Sequence, residues 1–410
     1  MLVLGLETSC DETAASVVEF DGASLRVRSS VVASQEAMHA PYGGVVPELA
    51  SRAHLACIVP TLEKAIHAAG IGFRDLDRIG VANCPGLIGS LLVGVSAAKG
   101  VAWSLGKPVV PVDHVVAHLA ACLLDRPMPA WPALGLVVSG GHTSVFRMQG
   151  PTAPDLIGWT IDDAIGEAFD KAAAMLGLGY PGGPRIERAA VGGDPNAVRL
   201  PSAFLRRDGL QFSFSGLKTA LLYAARGVPG AARRSVRPGK DRGVEQVAGH
   251  GPNHDRGTGA GTAHERASSP SNAAVVPPLT PERISDLAAS FQRAAVDSII
   301  EGLDAALGLD GPPPRTLLVG GGVSANTPLR HALTAWAQRH GMECRVPEMA
   351  HCIDNAAMVA GLAALMPAAA SDLGFTAEPM SRIARGVRGP QRNGPSSPTN
   401  PAPATPRPTP

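Results

Sequence analysis

Residues 2–20, LVLGLETSCDETAASVVEF, have a counterpart at residues 133–148, ALGLVVSGGHTSVFRM. Each is an apolar run, a short hydroxyl- or glycine-bearing turn, and a second apolar run. Apolar runs bounded by turn-forming residues predict β-strands. Helical periodicity follows both copies, in ELASRAHLACIVPTLEKAIHAAG (48–70) and in DDAIGEAFDKAAAMLGL (162–178). The first of these ends at a glycine, as helices often do. Further strands are expected at 25–32, 79–84 and 109–113, with a helix at 88–105. A chain that opens two α/β units in the same way is expected to fold as two lobes around a cleft, with both polar turns facing it. Backbone N–H groups in such turns can cradle phosphate oxygens.

Of the 410 residues, 45% are hydrophobic and 17% charged, which indicates a well-cored soluble α/β protein and excludes a disordered or fibrous chain. Aromatics are only 4%, so the core is expected to be built from Ala, Val, Leu and Ile. The net charge of +1 does not demand a nucleic-acid partner, although a local basic surface is compatible with it. Six scattered cysteines without a CxxC pair fit a reduced setting. No basic leader or Arg-rich presequence is evident, and no segment approaches the roughly 18 uninterrupted apolar residues of a membrane span. A cytoplasmic location without membrane contact is expected. The first lobe is expected at 1–125, completed by about 327–385, and the second at 126–326. Residues 226–278, rich in Gly, Arg, Ala and Pro, read as a disordered insertion, and 386–410 as a disordered Pro-rich tail.

His114 and His118 in VDHVVAHLAA lie four positions apart, about 6 Å along a helix and on nearly one face. The spacing suits a shared metal ion but equally an ordinary amphipathic helix, since two histidines do not complete a site. In HCIDNAAMVAGLAAL, Asp354 reads either as the cap of an apolar helix or as a third ligand, with His351 as a rival. A His, His, carboxylate set leaves open positions for substrate. The protease pattern HExxH needs a glutamate after the first histidine, and Val115 stands there. No GxSxG elbow supports a serine hydrolase. Three glycine turns, VVSGGHT (137–143), GYPGGP (179–184) and LLVGGGVSAN (317–326), are read as following apolar strands and together suggest a nucleotide or acyl-phosphate pocket. Asp170 is a candidate acceptor for ribose or substrate hydroxyls, or else a solvated helix carboxylate.

The runs GLETSCDET (5–13), YGGVVPELASRAH (42–54), PGLIGSLLVGVSAAKG (85–100), VVSGGHTS (137–144), DDAIGEAFDKAAAMLGLGYPGGP (162–184), FSFSGLKTA (212–220), ASFQRAAVD (289–297), GGGVSAN (320–326) and DNAAMVA (354–360) resemble the tRNA adenosine threonylcarbamoyltransferase family. They span nearly the whole chain in the family's order, except the insertion and tail. The resemblance implies an α/β fold of two ribonuclease-H-like lobes, as in the actin/Hsp70/sugar-kinase superfamily. It implies transfer of a threonylcarbamoyl group from threonylcarbamoyl-AMP to N6 of adenosine 37 in tRNAs reading codons that begin with A. The family's metal ligands fall on His114, His118 and Asp354, for one divalent ion, Fe(2+) ahead of Zn(2+). Its substrate-binding positions fall on Val137, Val138, Ser139, Gly140, Gly141, Asp170, Gly183, Glu187 and Asn326. Asp11 and Glu12 match acidic residues close to the site and stand as the catalytic candidates. The implied partners are tRNA, a paralogous non-catalytic protein of the same fold and a P-loop ATPase subunit.

Three departures accompany the match: Val116 replaces a glutamate between the histidines, Cys84 a glycine, and His351 with Ile353 an aromatic and a threonine. The ligands themselves are intact. Because the mixed anhydride of the donor is already activated, an ion that polarises its carbonyl and a site that positions N6 account for the expected reaction. The rival readings are a carbamoyl- or phosphotransferase acting on a small molecule and a non-catalytic scaffold. The intact His, His, Asp set speaks against the scaffold.

Overall fold

The computed structural model describes residues 1–207, 209–227, 279–367, 373–381 and 383. The first copy runs β1 (Leu2–Glu7), β2 (Glu12–Phe20), β3 (Leu25–Ser34), the single turn α1 (Glu36–His39), α2 (Pro47–Ala68), β4 (Arg78–Cys84), α3 (Ile88–Leu105), β5 (Val109–Asp113) and α4 (His114–Ala120). The second copy begins β6 (Ala133–Val138), β7 (Thr143–Met148) and β8 (Pro154–Thr160). It continues through α5 (Ile165–Met175), α6 (Gly182–Ala189), β9 (Phe204–Arg207), β10 (Gly209–Phe212), α7 (Phe214–Arg226) and α8 (Pro281–Leu307). It closes with β11 (Thr316–Gly320), α9 (Thr327–Arg339), β12 (Glu343–Arg345) and α10 (Ala356–Leu365).

The sheets have the orders β3-β2-β1-β4-β5 and β12-β11-β6-β7-β8-β10-β9. In the first, β1 pairs antiparallel with β2 and parallel with β4. In the second, β6 pairs antiparallel with β7 and parallel with β11. Five strands of each sheet therefore share one topology, which is the duplication read from the sequence, and the second sheet adds β10 and β9 beyond β8. The expected return to the first lobe at 327 is corrected, because α9 packs on α8 and β12 pairs parallel with β11. The chain crosses back to the first sheet with α10, and residues 375–378 then lie against Asn83 and Lys99. The expected insertion from 228 onward and the tail lie outside the described residues.

Strand alternation divides the apolar residues among three layers. On β1, Leu4 and Leu6 face α2 and α3, whereas Val3 faces inward. On β6, Leu134, Leu136 and Val138 face the core under α5, α7 and α8, whereas Ala133 and Val137 face inward. The middle layer is α4 and α10, held between the two sheets. Each copy has a glycine where this layer presses hardest, within the shared Leu-Gly-Leu of β1 and β6. A Cβ on Gly5 would lie 2.2 Å from the Ala356 carbonyl oxygen, and one on Gly135 2.6 Å from Leu119.

Two other expectations change. GYPGGP follows the helix α5 rather than a strand, and its last residues open α6. The helix α3 is 18 residues long with a mean hydropathy of 1.4, long and apolar enough by those measures alone to cross a membrane. It packs along β4 and buries Leu91, Val95, Ala98 and Ala102. All six cysteines are free thiols.

Backbone clearance under α10 is testable by substitution. Gly5→Ala is expected to destabilise the fold by about 1–3 kcal/mol, through overpacking that α10 cannot relieve. Gly100→Ala, on an exposed turn of α3 with nothing within 4 Å of the added methyl, is expected to stabilise by up to about 1 kcal/mol. Urea denaturation of both variants measures the contrast.

Candidate metal centre

The strand β5 delivers the chain into the middle layer, and Asp113 starts α4 at a defined residue. Its Oδ1 accepts hydrogen bonds from the N–H groups of Val115 (2.9 Å) and Val116 (3.3 Å), a side-chain N-cap. His114 is thus the first helical residue and His118 lies one turn later, with their rings 4.7 Å apart between centroids. Gly320 lets this turn sit against β11, since a Cβ there would lie 2.3 Å from the His118 carbonyl oxygen.

Asp354 arrives from the other end of the chain. It is not the helix cap: Asn355 takes that role, its Oδ1 accepting from the Met358 N–H at 3.1 Å. The Asp354 carboxylate, 21% exposed, is left to face the histidines. Its Oδ1 lies 3.3 Å from His118 Nε2 and 3.7 Å from His114 Nε2. One ligand atom from each of the three residues falls within 4.8 Å of the others. Tetrahedral coordination at ordinary Zn–N and Zn–O lengths spaces ligand atoms by about 3.3 Å, so small adjustments would close this set on an ion. His351, the rival ligand, is not in the cluster; its carbonyl oxygen accepts from the Asn355 side chain.

Two observations fit a divalent ion here. His118 is fully buried, yet neither ring nitrogen has a hydrogen-bond partner, and its contact with Asp354 lacks hydrogen-bond alignment. An unsatisfied buried polar group costs about 1–3 kcal/mol, which coordination removes. His114 turns its other nitrogen, Nδ1, to Glu7 Oε2 at 2.8 Å. Glu7 is wholly buried, and its second oxygen accepts from the Ser9 N–H at 2.5 Å. A carboxylate on the far nitrogen fixes the ring and directs Nε2 toward the metal position.

The charges agree. Burial depresses His114, but Glu7 and then Asp354 outweigh it and lift its pKa to about 9. Burial raises Asp354, but His114 and His118 hold it well below the usual carboxylate range. His142, in the β6–β7 turn, is depressed to about 3 by burial and by His114 and His118. Both polar turns thus flank the cluster, as the duplication predicts.

The other expected residues divide. Glu12 is lifted far above the usual carboxylate range by burial, then by Asp354 and Asp11. The Asp11 backbone carbonyl accepts from the Gln35 N–H. Val137 and Val138 bury their side chains completely in two different cores, which leaves only their backbone for a ligand. Ser139 shapes the following turn, its Oγ accepting from the His142 N–H at 3.1 Å, while Gly140 and Gly141 are exposed.

Asp170 Oδ1 accepts from the Gly182 N–H at 2.7 Å, joining α5 to the start of α6, and burial raises its pKa. Gly183 faces open space. Glu187 and Asn326 bind each other at 3.1 Å, and Asn326 also donates to Gln292 and caps α9 through Leu329. Val116 is buried in the middle layer. Cys84 places its Sγ 3.7 Å from Asp113 Oδ2, and Ile353 is 48% exposed.

Sequence reasoning missed Glu7 and Tyr180. Glu7 ends β1 inside a run that was read for its turn, and a carboxylate completing an otherwise buried strand was the available signal. Tyr180 has its phenol pushed up by burial and then by Asp11, Asp170, Cys10 and Glu12. No periodicity marks it.

Glu7→Gln keeps the shape but loses the anionic partner of His114. It is expected to weaken metal binding about 10- to 100-fold, read by competition with a chelating dye.

The profile of the family described as TsaD, tRNA N6-adenosine threonylcarbamoyltransferase, matches residues 26–361. The tRNA N6-adenosine threonylcarbamoyltransferase of Sorangium cellulosum is 41% identical over 382 residues, covering 90% of this chain and 92% of that protein. The protein of the same description from Syntrophobacter fumaroxidans is 43% identical over 363 residues, covering 88% and 93%. Among solved structures, T. kodakarensis HypF superposes with a TM-score of 0.52 at 13% identity, over 88% of this chain and 47% of that one. Full-length HypF in its phosphate- and nucleotide-bound form gives 0.51 at 11% identity, over 88% and 54%. These two likenesses concern the fold alone.

Proposed function

Since this chain belongs to the tRNA N6-adenosine threonylcarbamoyltransferase family, we propose that the cluster of His114, His118 and Asp354 is the centre at which it transfers the threonylcarbamoyl group to N6 of adenosine 37, in tRNAs reading codons that begin with A. The donor in this reading is threonylcarbamoyl-AMP. The observation that carries it is the buried cluster itself, with Glu7 behind His114 and an unsatisfied His118 ring. Bound there, a divalent ion, Fe(2+) ahead of Zn(2+), supplies Lewis-acid polarisation of the donor carbonyl.

The chain's own residues bind, orient and exclude water. Glu7 and Asp113 hold α4 and its first histidine in place, so little ordering remains to be done when substrate arrives. Gly140 and Gly141 offer exposed backbone where the adenylate phosphate is received. Asp170 is electrostatically coupled to Asp11 and serves the nucleoside hydroxyls. Glu187 and Asn326 act by bracing each other into the wall beside Gly183, rather than as free hydrogen-bonding groups. Asp11 and Glu12 line the approach, where burial and the neighbouring carboxyls push Glu12 toward its neutral form.

The reading includes a paralogous non-catalytic partner, a P-loop ATPase subunit and a cytoplasmic setting. Leu55 and Val59 of α2, with Leu92 and Trp103 of α3, are exposed apolar side chains that support a protein partner on this side. The scaffold reading is disfavoured by the complete ligand set.

In an assay reconstituted with synthetic donor, tRNA and the partner subunits, Asp354→Ala is expected to abolish modified-nucleoside formation while leaving the melting temperature within a few degrees. Chelation of the unsubstituted protein is expected to do the same, with recovery on adding back Fe(2+) or Zn(2+). Full activity after metal removal would overturn the assignment.

A further inference from the structure

A cavity of about 580 Å3 lies on the inward side of β7 and β8, beside the cluster. Its walls include Val115, His142, Ser144, Phe146, Leu156 and Trp159, and residues 379–381 close one side. Val115 directly follows the ligand His114 in α4, and both Val115 and His142 line the cavity, so this stretch of its wall is the partition on the side of the cluster.

The aromatic wall depends on a β-bulge. Val145 pairs with Gly158 and Phe146 with Leu156, so Ile157 is the extra residue on β8. Strict alternation would put Leu156 and Trp159 on opposite faces. The bulge puts both on the inward face, while Ile157 packs into the outer core. Ser144 pairs with Trp159 across the strands and adds a hydroxyl beside the ring. A cavity of this size suits a small organic group, and a half-buried indole flanked by Phe146 and Leu156 suits a flat heterocycle.

Resting on the function proposed above, we propose that this cavity receives the acceptor base: the target adenine, turned out of its strand, stacks on Trp159 with its N6 edge toward the partition formed by Val115 and His142. Enzymes that act on a base take it out of the stack into such a pocket. Aromatic faces hold the extruded base.

The test compares Trp159→Ala, Trp159→Phe and the unsubstituted full-length, metal-loaded protein in the reconstituted assay. Trp159→Ala is expected to lower kcat/KM for tRNA about 5- to 150-fold, the range that loss of one base–aromatic stack produces. The KM for the donor is expected to stay unchanged, and Trp159→Phe to restore most of the loss. Independently of any substitution, tRNA carrying 8-azidoadenosine at the target position is expected to cross-link within residues 141–160. A rise in donor KM with tRNA constants unmoved would assign the cavity to the donor's amino-acid part and overturn the proposal. Wild-type constants in Trp159→Ala, or cross-links elsewhere, would overturn it too. If Trp159→Ala does not fold, the cross-link map decides. Failure of the unsubstituted protein to modify tRNA at all refutes the function reading instead.

Discussion

Everything at the site depends on two helices being squeezed between two sheets. The middle layer of α4 and α10 is rich in alanine and valine and touches inward residues of both sheets at once. Small side chains allow that approach, and backbone glycines complete it: Gly5 under α10, Gly135 and Gly320 against α4. The two helices are equivalent in the duplicated topology, for each follows the last strand of its own sheet, β5 or β12. Their N-termini meet at the cluster, one carrying His114 and the other preceded by Asp354. A change in either packing distance therefore reaches the ligands directly.

Burial also decides which acids do what. Glu7, Glu12 and Asp354 lie in one neighbourhood, yet their roles separate. Asp354 faces two imidazoles, which favour its charge, whereas Glu12 faces other carboxyls, which disfavour its own. Glu7 gives both oxygens to named donors or rings, so its charge is spent on orientation. A like-charged cluster in a dry site is tolerable only with such a division.

Much of this was legible in the sequence, because it is written in local patterns. The strand-turn-strand unit that opens each copy, the strands of the first sheet and the helix at Ile88–Leu105 were marked by apolar runs and periodicity, and a four-residue spacing marked His114 and His118. What was not legible depends on contacts between distant segments. Glu7 is 107 residues from His114, and nothing near either announces the other. Asp354 and Asn355 are adjacent and both cap-competent, so only the built helix shows that Asn355 takes the cap. The return point at 327 failed for a similar reason: α9 has an ordinary amphipathic pattern, and the sheet it joins is set by β12 pairing with β11. Glu187 and Asn326 entered as substrate-binding positions through the family resemblance alone, and their mutual bond appears only when α6 and the start of α9 meet.

The separation of Asn355 from Asp354 has a consequence for the protein's history of loading and unloading. Were one carboxylate both cap and ligand, each departure of the ion would change the bonding of the first helical turn. With the cap assigned to the neighbouring amide, α10 keeps its end sealed whether or not the centre is filled. An ion entering or leaving such a centre would then act on the Asp354 carboxylate alone, with no change in the hydrogen bonding of the first helical turn.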